Sequence, residues 1–254
     1  MRVNEALGDM RQIIDDFIET SNRATTVDEL FLYYTAAMKD LGFDRLVFSL
    51  MTDHPSIQRP AGHGILVNYS EDWMKHYVEN NCEIYDPVRR DMYSAPGTFV
   101  WDQLMNRPTM TSLQRTFMHD ANDAKLYDGI GIPLRGPRGA IAGVGAASSA
   151  GGVEITDKNL LSYANLLAHQ FYTVYLTLET ERLEVAQQFV YLSDREQEVL
   201  KWSARGKTKA EISDVLSISE HTVHGYIKSA LKKLDANNTT LGVLKALHMG
   251  LIQL

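Results

Sequence analysis

Three helix starts lie close together in the last quarter of the chain, and they constrain the fold more than any other feature. Ser193 is followed three residues later by Glu196, and Thr208 by Glu211. Each pair has the spacing of a capping box, in which the hydroxyl and the carboxylate accept hydrogen bonds from otherwise unpaired N–H groups. Ser219 has the chemistry of a simple N-cap and predicts a third helix start after a short turn. Two short helices joined by a tight turn predict a helix-turn-helix, whose second helix enters the major groove of DNA.

The second helix of this motif has one apolar side and one polar side. Apolar residues recur at helical spacing and are expected to face a small core, at Val223, Ile227, Leu231 and Leu234 against Val199, Leu200, Ile212 and Leu216. A polar helix face is usually only solvated, but the turn and the long following helix favour DNA contact in this chain. We assign nine residues to that contact: Arg205, Lys207, Thr208, Ser219, His221, Thr222, His224, Lys228 and Lys232.

The same stretch resembles the C-terminal domain of LuxR-type transcription regulators over residues 192–254. The motifs that carry the resemblance are LSDRE, EVL, GKT, EI, IS, HTV and KL, and Gly206 also falls on a constant position of the family. Tyr226 and Ser229 depart from the His and Asn of many members, and Thr239 replaces a frequent Arg. The resemblance implies an all-α domain of four helices that binds double-stranded DNA at an inverted repeat as a homodimer.

Composition limits the remaining possibilities. The 254 residues suffice for two domains and contain no apolar run of the length that a membrane span needs, so we expect no membrane partner. Residues 2–20 are amphipathic and acidic, unlike a signal peptide. The single cysteine, Cys82, cannot form an internal disulfide. These features favour a cytoplasmic location.

The net charge of −7 is unevenly distributed. From residue 190 onward the chain has nine Lys or Arg and seven Asp or Glu, a net charge of +2, and the first 189 residues carry −9. An acidic body with a mildly basic end fits a regulator whose DNA contacts are local.

The N-terminal part has helical patterns at both ends and strand patterns between them. Helices are predicted at 4–20, from Thr26 to about Leu41, after Ser70 to Glu79, at Thr111–Ala124 and at Thr156–Glu184; strands are predicted at Arg45–Met51, Gly64–Asn68, Gly129–Arg135 and Ala140–Ala147, with a strand or loop at Phe99–Leu104. The predicted fold class is α+β, with an N-terminal α-β-α sandwich joined to the helix-turn-helix domain. We expect a sensor and dimerisation domain at 1–178, a linker at 179–190 and the DNA-binding domain at 191–254.

An aromatic cluster with one carboxylate is the most informative pattern of the first domain. Tyr69, Trp73 and Tyr77 are four residues apart and are predicted to share one helix face, Asp86 precedes a proline, and Trp101 follows. The residue before proline avoids the helical region, so an extended segment is expected at Asp86. Taken alone, three aromatic residues at this spacing are more often simply part of a core.

The combined spacing resembles the ligand-binding domain of acyl-homoserine-lactone receptors of the same LuxR family. The matching residues are Tyr69, Trp73, Asp86, Pro87 and Trp101, together with Gly129 and Pro133 in a G-x-x-x-P motif. The resemblance implies that Trp73 donates to the lactone carbonyl, Asp86 accepts from the ligand amide N–H, and Tyr69 donates to the acyl carbonyl. It also implies that Tyr77 and Trp101 pack on the lactone and the first part of the acyl chain. An acyl-homoserine lactone is therefore the expected ligand, and no cofactor or metal is expected.

Small residues on one predicted strand bear on ligand length. The strand sequence AIAGVGAA places Gly143, Gly145 and Ala147 on one side and Ala142, Val144 and Ala146 on the other. Many family members place a Ser or Thr on this strand, which is missing in this chain unless Ser148 or Ser149 reaches inward. The small side chains allow close helix packing or, alternatively, leave room for a long acyl chain beside Gly145.

Three other functions compete with a lactone-responsive regulator. A lactone hydrolase would need a metal-binding H-x-H-x-D-H or a G-x-S-x-G motif, and neither occurs in the sequence. A phosphorylation-controlled regulator would need an acidic pair and a phosphorylatable Asp on successive strands, which the N-terminal half does not offer. A LuxR-type regulator that answers a non-lactone molecule, or acts without ligand, stays open.

Overall fold

The computed structural model describes residues 2–185 and 190–253. The chain divides into two compact units, Met1–Glu181 and Arg182–Leu254. Of the predicted linker at 179–190, the part up to Val185 continues the preceding helix. Residues 186–189 of that prediction lie outside the described residues.

The first unit alternates helices and strands from its first described residue. Its elements, in chain order, are α1 (Arg2–Ser21), α2 (Val27–Asp40), β1 (Arg45–Leu50), β2 (Gly62–Val67), α3 (Glu71–Glu79), α4 (Pro87–Met92), β3 (Phe99–Val100), α5 (Trp101–Met105), α6 (Ser112–Asp123), β4 (Tyr127–Arg135), β5 (Ile141–Ser148) and α7 (Lys158–Val185). The side chain of Thr26 caps α2, that of Ser70 caps α3, and Thr111 forms a capping box on α6. These caps confirm three predicted helix starts.

The five strands form one antiparallel sheet in the order β2-β1-β5-β4-β3. On one face, Phe48 of β1 packs edge-on against Phe171 and Tyr175 of α7. On the other face, Val47, Ser49 and the glycines of β5 line a cavity below α3–α6. The predicted α-β-α sandwich is therefore confirmed, and the alternation along β1 and β5 separates a packed aromatic layer from a cavity.

In the cavity region, one local prediction is confirmed only in part and another is wrong. The Phe99–Leu104 segment pairs with β4 over only two residues and then turns into helix α5 at Trp101. Tyr69 lies outside α3, because Ser70 caps that helix and its first residue is Glu71. Tyr69 therefore reaches the cavity from the end of β2, and only Trp73 and Tyr77 share the helix face.

Helix α4 has no counterpart among the predicted elements, although its start has a clear signal. Asp86 accepts from the backbone N–H groups of Val88 and Arg89, and Pro87 occupies the first helical position. Asp is a favoured N-cap and Pro a favoured first residue, so Asp-Pro predicts a helix start as well as an extended residue. The six-residue length leaves too little periodicity for an apolar pattern to be recognised.

The second unit consists of α8 (Asp194–Ala204), α9 (Lys209–Leu216), α10 (Glu220–Lys233) and α11 (Thr239–His248). Both predicted capping boxes are present, at Ser193 and Thr208, and Ser219 caps α10. Gly206 follows α8 with φ of +80°, a conformation that glycine adopts without strain. The four-helix domain with its helix-turn-helix is confirmed.

Two small apolar clusters orient the helices of this unit. Val223 and Ile227 of α10 pack with Val199 and Ile212, and Leu234 packs in a second cluster with Leu200. The predicted apolar stripe of α10 therefore faces the core. Its opposite side, which carries His221, His224, Lys228 and Lys232, is exposed.

A buried carboxylate ties the first helix of this unit to α10. Glu196 is 3% exposed and accepts from the Lys233 ammonium at 2.7 Å, the Ser229 hydroxyl at 2.6 Å and the Ser193 backbone N–H at 2.7 Å. Burial alone would raise the pKa of Glu196, but these hydrogen bonds outweigh it and lower the pKa to about 2. Ser229 thus has a structural partner within the domain.

This network predicts an acid-sensitive stability of the second unit. A carboxylate with a depressed pKa stabilises the fold above its unfolded pKa, and the contribution is lost as pH falls through the folded value of about 2. Glu196→Gln should therefore lower the free energy of local unfolding at pH 6 by on the order of 2 kcal/mol, allowing for the partly exposed Lys233. Amide hydrogen exchange in residues 194–248 measures this free energy directly.

The difference between Glu196→Gln and the wild type should shrink as the pH is lowered from 6 to 3. Glu198→Gln is the matched control, because Glu198 forms only a surface pair with Arg195. A constant difference across this pH range would show that the carboxylate charge does not stabilise the domain.

Candidate functional site

A cavity lies between the sheet and helices α3–α6 of the first unit. Its wall combines apolar side chains with a few polar groups, which is the usual chemistry of a small-molecule site. The lining residues come from β1, β2, α3–α6 and β5 and are mostly apolar: Val47, Ser49, Met51, His63, Tyr69, Trp73, Tyr77, Asp86, Val88, Arg89, Met92, Trp101, Phe117, Met118, Ala121, Leu126, Gly143 and Gly145. All six sequence-predicted ligand residues are in this set.

Asp86 is the buried acceptor of the cavity. Its Oδ1 accepts from the backbone N–H groups of Val88 at 2.8 Å and Arg89 at 3.1 Å, and its Oδ2 accepts from the Tyr77 hydroxyl at 2.9 Å. Burial raises the pKa of the Asp86 carboxyl, and the three hydrogen bonds oppose that rise. A carboxylate has about four acceptor positions, so capacity is left for a donor from a ligand.

Tyr77 has a second role in addition to the wall position that the sequence predicted. Its hydroxyl holds Asp86, and its ring stacks on His63 with centroids 4.1 Å apart. Burial, followed by the nearby Asp86 charge, raises the pKa of Tyr77 far above its ordinary value, so the phenol stays a donor. Tyr77 therefore positions the carboxylate in addition to lining the wall.

Two buried donors in the cavity are unpaired. The hydroxyl of Tyr69 and the indole Nε1 of Trp101 have no hydrogen-bond partner among the described residues. Both side chains lie over Gly145, where an added Cβ would be 3.2 Å from the Tyr69 hydroxyl and 3.6 Å from the Trp101 ring. A buried donor without a partner costs free energy, which a ligand acceptor would recover.

The space beside the glycines of β5 is occupied by other side chains, although the sequence predicted free space there. Gly143 and Gly145 do face the cavity, but Met92 fills the space over Gly143, and Tyr69 and Trp101 fill it over Gly145. The expectation of room for a long chain beside Gly145 is therefore corrected. The small residues let two donors approach the sheet closely.

The hydroxyls that could replace the missing Ser or Thr of this strand are used elsewhere. Ser148 accepts from the Gly151 N–H, and Ser149 donates to Asp44. Ser49 of β1 supplies a hydroxyl to the cavity wall instead, along with His63 and Arg89. The sequence did not predict these three residues for the site, and their only signal is polarity within strongly apolar surroundings.

Gly129 of the G-x-x-x-P motif is needed for the position of Trp101. A Cβ at Gly129 would lie 2.0 Å from Cε3 of Trp101, far inside contact distance. Gly129→Ala should therefore displace the indole, lower stability by about 1–3 kcal/mol and weaken the response to ligand. Thermal unfolding and a reporter titration measure the two effects.

Gly97→Ala is the control for this substitution, because a Cβ there meets nothing within 4 Å. If Gly129→Ala were as stable and as responsive as Gly97→Ala, close contact between the strand and Trp101 would not matter.

The exposed side of α10 forms a second candidate site. Lys228 and Lys232 line a shallow groove together with His224, whose Nδ1 lies 3.2 Å from the Lys209 ammonium. Lys209, Asn237 and Asn238 also line it and were not predicted; Lys209 has the plain signal of a cation directly after the N-cap of α9. The structure thus groups cations on α10, the helix that the motif predicts to enter the major groove of DNA.

The remaining predicted DNA residues are surface groups with partners of their own. Arg205 lies over the Trp202 ring at 5.0 Å, and Lys207 pairs with Glu211 at 2.8 Å. The side chains of Thr208 and Ser219 cap α9 and α10, Thr222 bonds the Ser219 hydroxyl, and His221 is exposed on α10. The Thr208 and Ser219 caps fix the N-terminal ends of α9 and α10, which would approach the phosphate backbone of DNA.

Membrane spans and metal clusters are two other features that the described part of the chain does not contain. Across these residues, no helix has both the length and the apolar composition of a membrane span. Within the same ranges, no three His, Cys, Asp or Glu side chains are grouped so that they could hold a metal ion.

Known protein families match both parts of the chain. The family model of the autoinducer binding domain matches residues 26–174, and that of bacterial regulatory proteins of the luxR family matches residues 190–246. The putative HTH-type transcriptional regulator y4qH of Sinorhizobium fredii is 30% identical over 206 residues, which cover 81% of this chain and 62% of y4qH. The quorum-sensing regulator RhlR of Pseudomonas aeruginosa is 29% identical, with 88% of this chain and 89% of RhlR covered.

Two solved structures are similar to this chain over most of its length. The crystal structure of SdiA from Escherichia coli matches with a TM-score of 0.79 at 26% identity, covering 97% of this chain and all of that one. A second SdiA structure, in complex with octanoyl-rac-glycerol, matches with a TM-score of 0.75 at 27% identity, covering 95% and 94% of the two chains.

A cavity-containing α+β domain joined to a helix-turn-helix domain defines a transcription regulator with one site for a small molecule and one for DNA. The chain belongs to the LuxR family of quorum-sensing transcription regulators, with an autoinducer-binding domain and a DNA-binding domain. Because its relatives are transcription regulators, the chain is a regulator and not an enzyme.

Proposed function

We propose that this regulator binds an N-acyl-homoserine lactone in the cavity of its first domain. One observation carries the proposal: a buried carboxylate, Asp86, shares an apolar cavity with two unpaired donors, Tyr69 and Trp101. A ligand amide needs one acceptor and one donor, because each unmatched buried polar group costs about 1–3 kcal/mol. Asp86 suits the amide N–H and Tyr69 suits the acyl carbonyl.

The lactone ring carries a second carbonyl and therefore needs another donor. Trp73 is the residue to which the family resemblance assigns this role, and its ring lines the cavity. The unpaired Nε1 of Trp101 is a further donor within the same cavity. One acceptor and several donors match an acyl-homoserine lactone, which has one amide N–H and two carbonyl groups.

We also propose a long acyl chain, on grounds other than the strand glycines. Flexible or aliphatic side chains form much of the cavity wall, including Met51, Met92, Met118 and Leu126. Methionine adapts to irregular apolar shapes. Each further buried CH₂ contributes up to about 0.8 kcal/mol, so affinity should rise with chain length until the cavity is full.

The alternative is a regulator that answers a non-lactone molecule. The SdiA complex supports this alternative, because SdiA binds octanoyl-rac-glycerol, a ligand that has no amide group. Such a ligand would leave the acceptor capacity of Asp86 without an amide donor, although its hydroxyl groups could replace one. The buried carboxylate therefore favours the lactone.

We further propose that the second domain binds an inverted repeat in double-stranded DNA as part of a homodimer in the cytoplasm. The exposed cations of α10 support contact with DNA, and two-fold symmetry requires paired half-sites. Half-sites about one helical turn, roughly 34–36 Å, apart are expected. The cytoplasmic location is supported by the proposed DNA binding, because the protein must be in the same compartment as its DNA.

Native mass spectrometry tests the ligand proposal. The protein is produced with decanoyl-homoserine lactone, with octanoyl-rac-glycerol, or with neither, and its intact mass is measured. We expect a mass increment of one lactone per chain and the mass of two chains in the assembly. Retention of the glycerol but not of the lactone would support the alternative, and retention of neither would contradict both.

A further inference from the structure

Three polar side chains share one part of the otherwise apolar cavity wall. Ser49 comes from β1, His63 from β2 and Arg89 from α4. None of them takes part in the hydrogen bonds that hold Asp86, to which Arg89 contributes only its backbone N–H. The proposed contacts to the lactone and the amide therefore do not account for them.

Arg89 is a cation whose charge acts on the Asp86 carboxylate, but whose side chain has few hydrogen-bond partners. Its side chain is 14% exposed, and its guanidinium donates an N–H to the Met51 sulfur at 3.5 Å and approaches Glu83 at 4.0 Å. Thioether sulfur is a weak acceptor, and the Glu83 side chain is 57% exposed, so this pairing is shared with solvent. A mostly buried guanidinium with five donors has most of them left for oxygen atoms.

His63 and Ser49 form a neutral pair beside this cation. The Nδ1 of His63 lies 3.2 Å from the Ser49 hydroxyl, which accepts from the Gly64 N–H at 3.1 Å. Burial, followed by the Arg89 charge, lowers the pKa of His63 to about 4, so the imidazole is neutral at neutral pH. With Nδ1 engaged, the Nε2 of His63 has no hydrogen-bond partner among the described residues.

The strand register places Ser49 two residues beyond the position of Tyr69, whereas His63 stacks on Tyr77, whose hydroxyl bonds Asp86. Val47 is opposite Gly145, beside Tyr69 and Trp101, whereas Ser49 is opposite Gly143, two residues further along. Two residues of a strand span about 7 Å. An acyl chain whose carbonyl is held at Tyr69 would thus extend several carbons before it reaches Ser49.

We propose that Ser49, His63 and Arg89 form a polar subsite that selects acyl groups carrying an oxygen acceptor, above all a carboxylate, several carbons beyond the amide. The inference rests on the proposed lactone function and adds the chemical class of the acyl group. A carboxylate would give the guanidinium a bidentate partner, and a keto or hydroxyl oxygen would give it a single acceptor. A plain alkyl chain would cover the cation and leave its donors unpaired.

The test compares homoserine lactones of equal chain length that differ only in the acyl group. The probes are a plain decanoyl chain, a decanoyl chain with a terminal carboxylate, one with a keto group in the distal half, and one with a keto group next to the amide unit. Dissociation constants are measured on the full-length protein. We expect the two distal oxygen-bearing chains to bind at least about tenfold more tightly than the plain one, with the carboxylate first.

Arg89→Met should remove this preference, because methionine has similar length and no donors. Arg89→Lys should keep part of the preference for the carboxylate chain over the plain chain. It should keep a smaller part of the preference for the distal keto chain. The control is Arg90→Met, since Arg90 is exposed on the same short helix and does not line the cavity. If Arg89→Met does not fold, the wild-type ratios alone still decide the proposal.

The outcomes separate the subsite from the proposed function. Binding of the plain and distal oxygen-bearing lactones with equal affinity, or a preference only for the keto group next to the amide, would overturn the subsite and leave the lactone function standing. Failure of all four lactones to bind would overturn the proposed function itself.

Discussion

Asp86→Asn is expected to raise the lactone concentration that gives half-maximal response by at least about tenfold, since a lost charge-assisted hydrogen bond is worth about 1.5–3 kcal/mol. The carboxylate accepts two backbone N–H groups and the Tyr77 hydroxyl, and it has capacity for one more donor. An asparagine keeps the size but replaces one acceptor with an NH₂ group. That group would face donors, namely Tyr77 or the ligand amide.

A reporter titration with an acyl-homoserine lactone measures the shift in midpoint. Asp72→Asn is the matched control, because Asp72 is exposed in the first turn of α3 and does not line the cavity. The unfolding midpoint of the ligand-free variant separates a loss of binding from a loss of the α4 cap. An unchanged response midpoint for Asp86→Asn would remove Asp86 from the ligand site.

Lys228→Ala is expected to weaken binding to an inverted-repeat DNA by about tenfold at physiological salt and to reduce the salt dependence by about one counterion. Lys228 is exposed on α10 and forms no ion pair within the described residues. Its charge is thus available to a phosphate or to a base edge. His224→Ala, one turn away, should reduce affinity more for the selected repeat than for unrelated DNA if it contacts a base.

The DNA for this measurement is selected from a random pool with the wild-type protein, because the sequence does not identify a promoter. Arg195→Ala is the control, since Arg195 is paired with Glu198 on α8. A Lys228→Ala variant with wild-type affinity and salt dependence would show that the outward face of α10 does not contact DNA.

The second domain was predictable from sequence because its signals are local. Both capping boxes, the Ser219 cap and the glycine after α8 act within a few residues of each other. Their hydrogen bonds depend on the backbone of the same turn and little on tertiary structure. The positions of α8, α9 and α10 therefore followed from short spacings, and the apolar stripe of α10 gave its orientation.

The ligand site was predictable only in part because its geometry is tertiary. The resemblance identified Tyr69, Trp73, Asp86 and Trp101, but the space over Gly145 depends on where two side chains from other elements lie. No local spacing shows that Tyr69 and Trp101 fill it. The polar wall was missed for the same reason, since Ser49, His63 and Arg89 meet only when β1, β2 and α4 are assembled.

Tyr77 shows that a residue predicted for the cavity wall can have a second role that the sequence does not reveal. Its four-residue spacing from Trp73 placed it correctly on the cavity face of α3. Its hydroxyl bond to Asp86 joins residues nine apart through the turn before α4. That turn contains the missed helix start, so the contact could not be derived without the fold.

Binding of an intact acyl-homoserine lactone in the cavity is tested most directly by thermal unfolding of the purified protein. The comparison is between one lactone and its ring-opened acid, which has the same acyl chain and amide but an added carboxylate. At a hundredfold excess over its dissociation constant, the lactone should raise the unfolding temperature by roughly 5 °C or more. The acid should raise it much less, because its carboxylate would be buried near the like charge of Asp86. An equal rise with both compounds, or no rise with either, would contradict recognition of the intact lactone by this cavity.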